Sequence, residues 1–193
     1  TCVFDDLSFS AGSKTVTQDM PRIGTTTFLG DDGAHAVTNV PTWTTSTDAS
    51  VFGSLTLASS TLMTLTASTQ AYTFEGRAAG MPEEGWTLTS GDGNTWAKLL
   101  GVNNYDGTLT LSDNNTNTVS VYMYGGNLDL NDFNMSTPGF SFQPGTTKTL
   151  DLGNGTTTLT GTNIWIMNEG PTIICGNSTI KITDTSNTAI TFT

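Results

Sequence analysis

Four short segments return in the same polarity through the second half of the chain: Thr108-Leu109-Thr110-Leu111, Asn127-Leu128-Asp129-Leu130, Thr149-Leu150-Asp151-Leu152 and Thr172-Ile173-Ile174-Cys175. Thr108 to Asn127 is 19 residues, Asn127 to Thr149 is 22 and Thr149 to Thr172 is 23. Each segment is followed by further alternating runs, such as Val119-Ser120-Val121-Tyr122-Met123-Tyr124, Phe140-Ser141-Phe142, Ile164-Trp165-Ile166 and Ile180-Lys181-Ile182. Turn formers stand between them, among them Gly125-Gly126, Pro138-Gly139, Pro144-Gly145, Gly153-Asn154-Gly155, Gly170-Pro171 and Gly176-Asn177. A unit of this length with two or three strands cannot bury its inward side chains alone, so successive units must stack and pair edge to edge. In Leu128-Asp129-Leu130 the alternation sends both leucines to one face and the aspartate to the other, so stacked leucines make the core.

The same punctuation would permit an antiparallel sandwich. Recurrence in one polarity and at one position of each unit favours a parallel solenoid, and the uneven spacing favours turns of different length. The expected fold is therefore all-β, a right-handed parallel β-helix over the C-terminal half. Residues 1–52 read as an N-terminal β cap or adaptor, and residues 53–193 as the solenoid. Leu55-Thr56-Leu57 and Leu62-Met63-Thr64-Leu65 already resemble the later repeat. From about residue 76 to 105 the pattern breaks, which predicts an irregular loop insertion with a short helix possible at Trp96–Leu100. The sequence ends at Ala189-Ile190-Thr191-Phe192-Thr193, a strand pattern without the polar cap that terminal repeats need, which is the expectation for a chain that continues or is covered by another.

Composition agrees. Only 35% of residues are hydrophobic and 12% charged, and roughly a fifth are threonine, whose branched side chain suits a pleated surface with a polar exterior. Seventeen acidic residues against six basic give a net charge of −11, with no basic run. Phosphate neutralisation needs clustered Lys and Arg, so nucleic acid and anionic membrane surfaces are poor partners. No stretch approaches the roughly 18 apolar residues of a membrane span, and no signal-like segment precedes Thr1. A secreted chain would already have lost its leader, whereas Met removal ahead of Thr1 suits assembly inside a cell. Cys2 and Cys175 have no metal-ligand spacing and would lie on distant turns, so both are expected as free thiols, acting as small buried hydrophobes.

The run from Lys148 to Trp165, with Thr149-Leu150-Asp151-Leu152-Gly153 and Thr158-Leu159-Thr160-Gly161-Thr162-Asn163-Ile164-Trp165, resembles the Thr- and Gly-rich repeats of phage tail-fibre and related virion β-helix proteins. Asn127-Leu128-Asp129-Leu130-Asn131-Asp132 resembles the strand that precedes that pattern in the family. The resemblance covers about residues 105–193. Bacterial adhesins and surface-filament subunits share the vocabulary. It implies a virion protein of a tail fibre or appendage, often a homotrimer, that serves assembly and attachment to a host surface glycan. Extracellular or cell-surface location is the alternative. It implies no catalytic residue and no cofactor.

Because many phage β-helices cleave host polysaccharide, paired carboxylates are the first candidates. Asp129 and Asp151 occupy one column of adjacent turns, and strands about 4.8 Å apart could bring them to the separation of about 5 Å that retaining glycoside hydrolysis uses. Solvated residues on a polar face are the preferred reading, because no aromatic sugar platform accompanies the pair within its own strands. Asp31-Asp32-Gly33 and Asp113-Asn114-Asn115-Thr116-Asn117 offer oxygen ligands for Ca²⁺, though the second run lacks the Gly and Glu of an EF-hand loop, and turn chemistry accounts for both. His35 is the only histidine, which argues against triads and zinc clusters. Glu83-Glu84 with Trp86 could form a sugar-binding lip or a solvated loop. Asn114, Asn134, Asn154 and Asn177 open Asn-x-Ser/Thr sequons, expected by chance in such a chain. No catalytic, cofactor or metal residue is assigned.

Overall fold

The computed structural model describes residues 1–4, 14–29, 41–66, 70–76, 85–96, 99–162 and 164–183. Asp31-Asp32-Gly33, His35, Glu83-Glu84 and 189–193 lie outside the described residues. Among the described residues there is no helix, and every strand pair is parallel. The chain winds as a β-solenoid with three strand faces per turn.

β1 (Cys2–Phe4), β2 (Thr15–Gln18) and β3 (Arg22–Ile23) make the first turn, and β4 (Thr26–Phe28), β5 (Thr42–Thr45) and β6 (Ala49–Val51) the second. β7 (Leu55–Leu57), β8 (Thr64–Leu65) and β9 (Ala71–Glu75) follow, then β10 (Gly85–Thr89), β11 (Thr95–Trp96) and the start of β12 (Leu99–Leu111). The rest of β12, β13 (Asn115–Asn117) and the start of β14 (Val121–Asp129) make the next turn, and the rest of β14, β15 (Met135–Thr137) and β16 (Phe140–Phe142) another. β17 (Lys148–Asp151), β18 (Thr156–Leu159) and β19 (Trp165–Met167) precede the last described strands, β20 (Thr172–Ile174) and β21 (Thr179–Ile182).

The front face runs β1-β4-β7-β10-β12-β14-β17-β20, the side face β3-β6-β9-β12-β14-β16-β19, and the back face holds β2-β5-β8 and β11-β13-β15-β18-β21. Front and side merge into one 13-stranded sheet because β12 and β14 each run unbroken around the corner between them. Gly125-Gly126 therefore bends a continuous strand where the sequence suggests a turn. Gly126 takes φ +79°, and β12 shifts register opposite it between Asn103 and Thr108. A bulge with a left-handed glycine is the cheapest way to bend a paired strand without ending it.

The four repeat segments fall into register as their alternation requires. Leu109, Leu128, Leu150 and Ile173 are successive partners on the front face, and the first three expose no surface. Leu55, Leu88 and Leu111 extend a second inward column toward the N-terminus. On the side face Tyr72, Leu100, Val121, Phe140 and Trp165 form one ladder, and Phe74, Val102, Met123 and Phe142 another. Each such side chain, fully buried, contributes about 1.5–3 kcal/mol.

The described strands within residues 2–51, β1 to β6, take the same three-faced path as later turns, and pairing continues across residue 52: β4 pairs β7 and β6 pairs β9. Their patterning is harder to read because their strands are two to four residues long. The helix considered at Trp96–Leu100 is absent; Trp96 ends β11 and Leu99 opens β12. Within 76–105 the chain carries β10, β11 and the start of β12, so much of the apparent insertion is ordinary solenoid. Among the described residues the back-face pairing is interrupted between β8 and β11, beside a cleft lined by Met63, Thr64, Leu65, Asn94 and Thr95.

Candidate functional site

Asp129 and Asp151 are registered partners on β14 and β17, so the expected column exists. Each carboxylate is engaged at its strand end: Asp129 Oδ1 accepts from Asn131 N at 2.7 Å and Asp151 Oδ1 from Gly153 N at 3.0 Å. An aspartate bonding the amide two residues on closes an Asx turn. Around the pair lie Thr108, Asn127, Thr149 and Ile174, with no aromatic ring for a sugar to stack on. What the arrangement does is turn the chain out of the front face, the same way in successive coils.

The corner that follows is a ladder of polar side chains bonded to the backbone of neighbouring turns. Asp113 is its most heavily used member, accepting from Ser90 N at 2.8 Å, Ser90 Oγ at 2.9 Å and Gly91 N at 2.7 Å. Asn114 Oδ1 accepts from Asn134 N, Asn134 Oδ1 from Thr156 N, Asp132 Oδ1 from Asn154 N, and Asn154 Oδ1 from Asn177 N. All four sequon asparagines thus serve as rungs. The same corner demands left-handed backbone, met by Gly91, Gly153 and Gly176 or by Asn131 and Asp132, the residue types that tolerate it.

In the loop Asp113–Asn117 the side-chain oxygens of Asp113, Asn114 and Asn115 are engaged within the protein. Both Asp113 carboxylate oxygens bind backbone amides, and Asn115 and Asn117 point inward from β13, joined by Asn117 Nδ2 to Asn115 Oδ1 at 2.7 Å. Among the described residues no group of three His, Cys, Asp or Glu could hold a metal ion. Trp86, half-buried, donates its Nε1 to the Glu75 carbonyl at 3.1 Å, which fixes the indole to the neighbouring turn. Cys2 and Cys175 are free as expected but exposed, not buried, one on the first described turn and the other on the last described turn.

Two charged groups meet at the corner between side and front faces. Lys148, almost fully buried, donates Nζ to the Thr146 carbonyl at 2.8 Å and to Glu169 Oε2 at 3.2 Å. The Gly145 amide, and secondarily Lys148, hold the exposed Glu169 carboxyl below the usual glutamate range.

Among the described residues, the side face carries a half-buried aromatic pair on its outward parity. Tyr122 and Tyr124 stand on the polar parity of β14, opposite buried Val121 and Met123, with ring centroids 6.4 Å apart and planes 24° from parallel. Alternation in Val121-Tyr122-Met123-Tyr124 was the available signal. Tyr122 sits between Gly101 of β12 and Ser141 of β16, and Thr73 leans over the place a Gly101 side chain would fill. Beyond Ser141, Gln143 Nε2 donates to Ser141 Oγ at 2.6 Å, and Asn168 Nδ2 reaches Gln143 Oε1 at 3.5 Å. Burial, and then the neighbouring Tyr122, raises the Tyr124 phenol above its ordinary value. Comparison with protein-family models, curated proteins and solved structures found no match to this chain.

Proposed function

We propose that the chain is a structural subunit of a virion appendage of the tail-fibre kind, a stiff rod that serves assembly and host attachment. The observation that carries the reading is the corner ladder, in which Asp113, Asp132, Asn134 and Asn154 spend their side-chain oxygens on tying one turn to the next. Polar groups placed this way resist bending and twisting between turns, the mechanical demand on a fibre. The use of Asp129 and Asp151 as turn caps favours a structural over a hydrolytic role for that pair. The resemblance of residues 105–193 to virion repeats supplies the location, with a bacterial surface filament as the alternative. Light scattering on the purified chain tests the assembly, for which a homotrimer is expected and a stable monomer counts against a fibre. Antibody labelling under the electron microscope should decorate particle appendages. Release of reducing ends from capsular polysaccharide would instead identify a depolymerase.

A further inference from the structure

We propose that Asn154-Gly155 is a site of spontaneous covalent modification, at which deamidation of Asn154 loosens its turn from the one before it. The inference concerns the chemistry of the corner ladder and does not rest on the appendage reading.

Every other asparagine of the sequence is followed by a residue with a Cβ; Asn154 alone precedes glycine. The fold dictates both members of the pair. A Cβ on Gly155 would lie 2.4 Å from the Phe133 carbonyl oxygen and 2.8 Å from that of Asp132, so only glycine fits where the two turns approach. Position 154 in turn needs a side chain that donates on one side and accepts on the other. Asn154 Nδ2 donates to Asp132 Oδ1 at 2.8 Å, and Asn154 Oδ1 accepts from Asn177 Nδ2 at 3.1 Å. An amide supplies both groups, whereas a carboxylate supplies acceptors alone.

Asparagine is among the thermally labile residues, and a following glycine puts no side chain in the way of ring closure. The Gly155 backbone nitrogen attacks Asn154 Cγ. The N–Cγ bond forms, the Cγ–Nδ2 bond breaks, and the side-chain nitrogen leaves as ammonia, taking the Gly155 amide proton. Water, the only co-reactant, then opens the cyclic imide to aspartate or isoaspartate, and it reaches the site because Asn154 is exposed. The ladder sets the pace, since Nδ2 must release Asp132 before it can depart.

The product no longer fits its rung. Aspartate at 154 sets a carboxylate against Asp132 where the amide donated, and two like charges at that spacing repel. Isoaspartate also lengthens the main chain just ahead of Thr156, whose amide bonds Asn134 Oδ1 at 2.8 Å and opens β18. The bond from Asn177 survives either change, so the loss falls on the seam where β18 pairs β15.

The test is peptide mapping of the intact chain by mass spectrometry after incubation in mildly alkaline buffer, with aspartate and isoaspartate resolved by chromatography. Modification should appear at residue 154 before any other asparagine. Asp132→Gly suits the left-handed backbone of that position and removes the acceptor. It should speed the reaction about tenfold, the factor for releasing one hydrogen bond to a charged group. Asp132→Asn, which keeps a neutral acceptor, should react at an intermediate rate, with thermal melts confirming folded variants. Asn154→Asp, the product made directly, should melt below Asn154→Ala, which loses the rung without adding charge. An intact residue 154, earlier reaction at another asparagine, rates unchanged in both folded Asp132 variants, or Asn154→Asp as stable as Asn154→Ala would overturn the proposal.

Discussion

Leu150 and Asp151 are consecutive in β17, yet Leu150 exposes no surface between Leu128 and Ile173, whereas Asp151 faces outward and caps its own turn through Gly153 N. Leu150→Asp places a carboxylate among apolar side chains above and below, and should cost on the order of 4–5 kcal/mol or prevent folding. Asp151→Leu loses one hydrogen bond and should cost about 1 kcal/mol. Thermal melts of the two variants give the comparison, and the opposite ranking would reverse the register assigned to the front face.

Asp113 holds three donors of the preceding turn at once, more than any other ladder residue. Asp113→Ala strands the Ser90 and Gly91 amides and should destabilise by about 2–3 kcal/mol, since bonds to a charged acceptor are the stronger kind. Asn134→Ala, which releases only Thr156 N, should cost about 1 kcal/mol. Denaturant midpoints at constant slope would establish the order.

Burial pushes the Tyr72 phenol up to about 12, against an ordinary value of 10, with the Trp43 hydrogen bond a smaller opposing influence. A folded-state value above the unfolded one means the neutral phenol favours folding. That contribution is whole below pH 10, the unfolded value, and is lost as pH rises through about 12. Stability should therefore fall across this window, and the fall should be shallower in Tyr72→Phe, which has no phenol to ionise. Chemical denaturation of both proteins at pH 9 and above measures the difference.

Front-face register was legible because Leu-x-Leu alternation recurs with the same polarity, and a one-residue slip would have exposed every leucine. The back face was less so. Asn115 and Asn117 look like turn residues yet form an inward strand, because stacking with Met135 above and Trp96 below outweighs their local preference. The early turns hid for a related reason: Ala49-Ser50-Val51 buries two residues, too few to display a period. For the candidate site, acidity was a misleading guide. Asp113, Asp129 and Asp151 stand out in the sequence but serve the backbone, while Tyr122 and Tyr124 read as part of a strand and emerge as an outward pair only when Gly101 and Ser141 take their places beside them.

The unpaired edge between β8 and β11 makes the rod mechanically uneven along its length. From β1–β3 to β17–β19 the other described coils are zipped to the next along all three sides; here, among the described residues, the front and side alone carry the ladder, helped by Ser60 N to the Asp92 carbonyl and Asn94 Nδ2 to the Ala58 carbonyl at the corner. In a linear array whose cooperativity passes only between neighbours, such a place has the lowest coupling energy. Under load this seam should yield before the fully paired coils on either side, opening on the back face.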